Sequence, residues 1–195
     1  MRSKSLNLNF VLVTLWIVFA VLSRLLPNPA NFSPMMAIGI FGGALFARRA
    51  WAIIIPLLSI WLSDLLMNNV VYKGFFDHFV WFYDGWYWQY AIYLLVPLAS
   101  ISIFKKNITV GKIALTGIGA AVLFFLVSNF GVWYSSNMYP KTGEGLLQCY
   151  IMGLPFFKGT LMGTLFYSLI LFGTYYFIEK RTSLIAPVRH QWRWI

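Results

Sequence analysis

Carboxylates are scarce in this chain of 195 residues: five Asp and Glu stand against fifteen Lys and Arg, giving a formal net charge of +10. That scarcity limits paired-acid chemistry and leaves Asp64 as the one acid placed inside a long apolar run. A single cysteine, Cys149, excludes an intramolecular disulfide and any cage built of several thiolates. There are two histidines, and neither a second histidine nor the cysteine stands near His78 at ligand spacing. Ser63 has no histidine on its own helix to activate it, so a nucleophilic triad is not expected. The chain also lacks a Walker loop, a low-complexity tract and a polar linker, which leaves one domain, 1–195, with no nucleotide hydrolysis of its own.

What is present is apolar surface. Hydrophobic residues make up 60% and charged residues 10%, and the mean hydropathy is +0.73, far from soluble values. The expectation is an all-α integral membrane bundle of six transmembrane helices. Residues 8–26 form a retained first span, with no cleavage site, that stops at Pro27-Asn28-Pro29. Residues 32–47 and 50–67 form a hairpin about Arg48-Arg49, each arm near the ~20 residues a bilayer requires. A fourth span covers 86–104 with a kink at Pro97, and a fifth, rich in small residues, covers about 109–134. Residues 146–154 are too short to cross, so Pro155 is expected to separate a short re-entrant or interfacial helix from a sixth span at 156–178.

Basic residues set the orientation. With both termini cytoplasmic, Arg2, Lys4, Arg48, Arg49, Lys105, Lys106, Lys112, Lys180, Arg181, Arg189 and Arg193 lie inside, and Arg24, Lys73, Lys141 and Lys158 outside. Eleven against four supports six helices with both termini inside. Because these cations sit in short turns, their partners are lipid headgroups and not nucleic acid.

Polar and aromatic groups from four segments gather on the outer side. Asn31, Asp64, Asn68, Asn69 and Asn129 supply polar groups; Trp81, Trp86, Trp88, Trp133, Tyr139 and Tyr150 supply rings, and Lys141 a cation. A pocket open to the outside, with a few polar groups orienting a ligand under aromatic cover, fits this pattern. Anchoring at the membrane interface would explain the rings but not the asparagines, and Asp64 could equally be a structural residue paired with Arg24. Gly39, Gly43 and Ala47, and likewise Gly159 and Gly163, put small residues on one helix face, for packing inside the bundle or against a partner membrane protein.

The stretches PNPANFSPMMAIGIFGGALFARR, PLLSIWLSDLL, SNFGVWYSSNMYPKT and GLLQCYIMGLPFFKGTLMGTLFY resemble a family of bacterial six-helix membrane proteins. That family is in turn similar to the S components of energy-coupling-factor (ECF) vitamin transporters, where a GG-containing helix, a basic turn and a helix ending in Ser-Asp recur. The resemblance implies a non-enzymatic subunit that binds a vitamin or similar micronutrient at its outer face and docks on a shared transmembrane subunit with two ATPases. No resident cofactor follows from it, and Cys149 becomes a metal ligand only if the cargo is a corrinoid. Two other classes stand beside it: an assembly protein without transport, and an intramembrane enzyme drawing on Asp64, Cys149 and His78.

Overall fold

The computed structural model describes residues 15, 18–19, 22–24, 29–46, 49–181 and 191–192, and of Arg181, Gln191 and Trp192 only the backbone. Among the described residues five helices are continuous: α1 (Met35–Leu45), α2 (Arg49–Leu66), α3 (Trp86–Ile103), α4 (Val110–Ser135) and α5 (Gly143–Arg181). A π turn at Met67–Val71 prolongs α2, and a 3₁₀ turn follows at Lys73–Phe75. Two-residue strands, β1 (Asn107–Ile108) and β2 (Gln191–Trp192), pair in parallel, which places Gln191 and Trp192 at the α3–α4 turn. Of the expected first span, the described positions Leu15, Val18, Phe19, Leu22 and Ser23 are helical, and the remainder lies outside the described residues, as do Ala47 and Arg48.

Among the described residues three helices are long and apolar enough to cross a membrane: 49–71, 110–135 and 143–180. Membrane-protein character is therefore carried by the helices themselves. α1 departs from the expected span at 32–47, because only eleven of its residues are helical, roughly 16 Å at ~1.5 Å per residue. Its start is delayed by Pro34, which takes the N-cap position, and by Asn31, whose φ of 61° lies in the left-handed region. Short as it is, α1 is the centre of the core. Met35 to Ala44 are all buried, Gly39 lies against Val96 and Pro97, and a Cβ on Gly43 would stand 2.5 Å from the Pro97 carbonyl. Phe41 meets Phe172 edge to face at 5.3 Å between ring centroids.

The irregular segment before α1 fills the small-residue face of α5. A Cβ on Gly159 would collide with the Ala30 carbonyl oxygen, and one on Gly163 would lie 2.8 Å from the Ser33 nitrogen. Both glycines fall near the middle of a 39-residue helix, so non-helical backbone crosses α5 at mid-length, exposed at Ala30 and Asn31 and progressively buried from Phe32 to Pro34. Both glycine faces are thus occupied by the chain itself, and packing inside the bundle accounts for them.

Pro155 does not break the chain as expected. It sits inside α5, which runs uninterrupted from Gly143 to Arg181. Proline removes one donor to the Ile151 carbonyl, but α4 holds the helix on both sides of the gap. Before it, the Tyr150 hydroxyl donates to the Leu126 carbonyl at 2.9 Å and Gly153 packs on the Asn129 side chain; beyond it, Phe157 meets Phe125 at 5.1 Å. There is consequently no re-entrant helix, and Lys158 lies nine residues from Cys149 along one rod, ~13 Å away and too far to stabilise its thiolate.

Candidate functional site

The end of α2, the starts of α3 and α5 and the end of α4 meet at one end of the bundle, where the aromatic loop between α2 and α3 also lies. Asp64, one turn before the π turn, is buried there. Its Oδ1 accepts from the Arg24 guanidinium at 2.5 Å, and its Oδ2 accepts from the Tyr90 hydroxyl at 2.9 Å. Arg24 also donates to Ser63 Oγ at 3.0 Å. Side-chain exposure of 24% for Arg24 and 9% for Asp64 makes this an ion pair largely withdrawn from its surroundings, joining Arg24 to α2 and α3. It forms because residues 63 and 64 present adjacent acceptors, while Tyr90 reaches across from the second turn of α3.

Aromatic groups surround the pair. Phe82, Trp86, Tyr90 and Tyr93 follow one another with centroid separations of 4.5, 5.2 and 6.1 Å. Trp86, Tyr90 and Tyr93 recur at helical spacing, so one face of α3 carries all three toward α2. Burial, and after it the Asp64 carboxylate, push the phenol of Tyr83 in the loop well above its usual range, so that ring stays neutral beside the pair. The loop itself is tied down by Asn69. Its Nδ2 donates to the Leu65 and Val80 carbonyls, both at 2.9 Å, and its Oδ1 accepts from the Val80 N–H at 2.8 Å. Asn68 is half-buried on the same turn. Trp81 is exposed and stacks on Trp61 at 6.4 Å.

The remaining expected residues form a second cluster on the α3–α4–α5 side. Trp88 is two residues from Trp86, ~200° around α3. Its Nε1 donates to Ser135 Oγ at 3.0 Å, and its ring covers Gly131, where a Cβ would stand 2.5 Å from it. Lys141 donates to the carbonyls of Trp133, Tyr134 and Ser136, closing the C-terminal end of α4, and lies over the Trp133 ring at 5.7 Å. Trp133 Nε1 donates to the Pro140 carbonyl at 2.9 Å, and Tyr139 is half-buried in the same turn. The Asn129 Nδ2 donates back to the Phe125 carbonyl on its own helix at 2.7 Å. Cys149 is 2% exposed and its thiol donates to the Asn129 carbonyl at 3.3 Å.

The expected site residues are therefore divided: Asp64, Asn68, Asn69, Trp81 and Trp86 gather with the aromatic loop, and Trp88, Asn129, Trp133, Tyr139, Lys141, Cys149 and Tyr150 with the α4–α5 turn. Asn31 joins neither; it is exposed in the segment that crosses α5. Ser63, Tyr83, Tyr90 and Tyr93 were missed as polar components of the site. The signal for two of them was available, since Tyr90 and Tyr93 follow Trp86 at four and seven residues. His78 is exposed and lies 2.7 Å from Asp77, away from the buried pair. Among the described residues no three His, Cys, Asp or Glu side chains stand close enough to hold a metal ion.

No curated protein and no solved structure matches the chain. A family model does, over residues 4–188, and on that match the chain belongs to the family of unknown function DUF6580.

Proposed function

We propose that this protein binds a small micronutrient within the membrane and serves its uptake, with the binding region at the aromatic end of the bundle. The observation that carries the reading is the Arg24–Asp64 pair, bonded to Tyr90 and Ser63 beside the Phe82–Trp86–Tyr90–Tyr93 series. Ionised groups at such depth are costly in hydrocarbon and mark ligand or ion pathways. A ligand with an anionic end and a flat ring could take over the guanidinium from Asp64 and lay its ring on the tyrosines and Trp86. The finer reading, an ECF S component with a transmembrane coupling subunit and two ATPases, rests on the sequence resemblance alone.

Native mass spectrometry of the detergent-purified wild type should show a retained small molecule, and the Arg24→Met/Asp64→Leu double variant should have lost it. Absence of any retained mass from the wild type, with tryptophan fluorescence indifferent to every micronutrient added, would sink the proposal.

The proposed orientation puts the aromatic end outside and the α3–α4 turn in the cytoplasm. Arg24 drops out of the outer count because it is paired within the bundle, and Lys158 because it lies inside α5; this leaves Lys73 and Lys141 outside. A cysteine at Ser136 should react with an impermeant maleimide in intact cells, whereas one at Lys106 should react only after permeabilisation. The reverse pattern would invert the orientation.

One observation favours a second reading, an assembly protein without cargo. Each carboxylate oxygen of Asp64 already has a partner, so the pair is complete as it stands. On that reading the double neutral variant would keep full activity in cells.

A further inference from the structure

At the opposite end of the bundle an apolar groove of about 750 Å³ lies between α3 and α4. Leu95, Leu98, Leu115 and Leu123 form its sides, and Leu115 is 71% exposed. Its floor is shallow at Gly119, where a Cβ would meet no atom within 4 Å. From Leu123 to Lys112 the groove follows three turns of α4, roughly 16 Å. That length is about half of a ~30 Å hydrocarbon core, the depth of one leaflet.

The groove ends in positive charge. Lys112 lines its mouth, and Lys105 and Lys106 are exposed on the adjoining turn. Among the described residues, the Lys112 ammonium is held by the neutral side-chain amide of Asn107 and by no carboxylate. A leaflet-deep apolar channel closed by three cations has the polarity and length of one phospholipid molecule. We infer that this groove is a binding site for an anionic phospholipid, with an acyl chain along Leu115 and Gly119 and the phosphate at Lys105, Lys106 and Lys112. A neutral transmembrane segment would leave those charges without a counterpart, and a free phosphate would leave the apolar channel unexplained.

The test uses the full chain in detergent, stripped of lipid and offered dioleoyl phosphatidylglycerol or dioleoyl phosphatidylcholine, with retention read by native mass spectrometry. The wild type should hold one phosphatidylglycerol, and phosphatidylcholine at least tenfold less tightly. Gly119→Leu adds bulk to the groove from a position where the Cβ meets no neighbour, and should weaken both lipids about tenfold. Lys105→Gln/Lys106→Gln/Lys112→Gln should bring phosphatidylglycerol down to the phosphatidylcholine level and leave the latter unchanged. Equal retention of the two lipids by the wild type overturns the inference, as does a Gly119→Leu protein that still holds phosphatidylglycerol. Displacement of the lipid by millimolar glycerol phosphate would assign the lysines to a soluble phosphate instead. A dimer that Gly119→Leu dissociates would assign the groove to a second copy of the chain. The two variants act at different atoms, so if one fails to fold the other still decides.

Discussion

Asp64→Leu should lower the stability of the bundle by about 3 kcal/mol, the lower end of the roughly 3–5 kcal/mol lost when one partner of a buried pair is removed. The lower end applies because a quarter of the Arg24 side chain is exposed. The variant leaves the guanidinium without its carboxylate, and the Tyr90 hydroxyl without its acceptor. Both would then be polar groups withdrawn from water with nothing to bond. Arg24→Met combined with Asp64→Leu removes both charges and should recover most of the loss, because two apolar side chains occupy the space without a desolvation penalty. Thermal unfolding of the three proteins in one detergent checks this. An Asp64→Leu protein as stable as wild type would show that the pair does not hold Arg24 against α2. The double variant matters for function too, since it should be folded and, on the proposed function, unable to retain its ligand.

Gly159→Ala should be comparably damaging for a different reason. The added methyl would occupy the position of the Ala30 carbonyl oxygen, which is backbone and has no rotamer by which to withdraw. Overpacking in a close-packed interior costs about 1–3 kcal/mol and occasionally more, and a contact with backbone belongs at the upper end. Gly163→Ala should follow the same direction more mildly, because its nearest contact, the Ser33 nitrogen, is 2.8 Å away. Gly173→Ala is the control: it lies on the same helix with open space where its Cβ would go, and should gain up to ~1 kcal/mol from helix propensity. Thermal midpoints in the same detergent compare them. If Gly159→Ala and Gly173→Ala unfold together, the crossing of α5 by residues 29–34 is not what holds α1 in place.

Local composition alone was enough for several features, and the physical reason is that each is a property of a single segment. Length and hydropathy made 50–67 and about 109–134 candidate spans, because a helix satisfies its own backbone within one stretch, and the helices at 49–71 and 110–135 are long and apolar enough to cross. Asp64 stood out because a carboxylate in an apolar run is costly wherever its partner lies, and Arg24 was a legible candidate for that partner. The small residues at Gly39, Gly43, Gly159 and Gly163 announced close backbone approach. What approached them was a tertiary matter: Pro97 and Ser100 came from α3 and Ala30 from a loop, over sequence separations that no helical period records. The continuity of α5 through Pro155 was likewise decided by α4, whose Leu126, Asn129 and Phe125 hold the helix on both sides of the missing hydrogen bond. The same holds for the division of the polar and aromatic residues into two clusters. Trp86 and Trp88 are neighbours in sequence, and only the packing of α2 on one face of α3 and α4 on the other sends one ring to Asp64 and the other to Ser135.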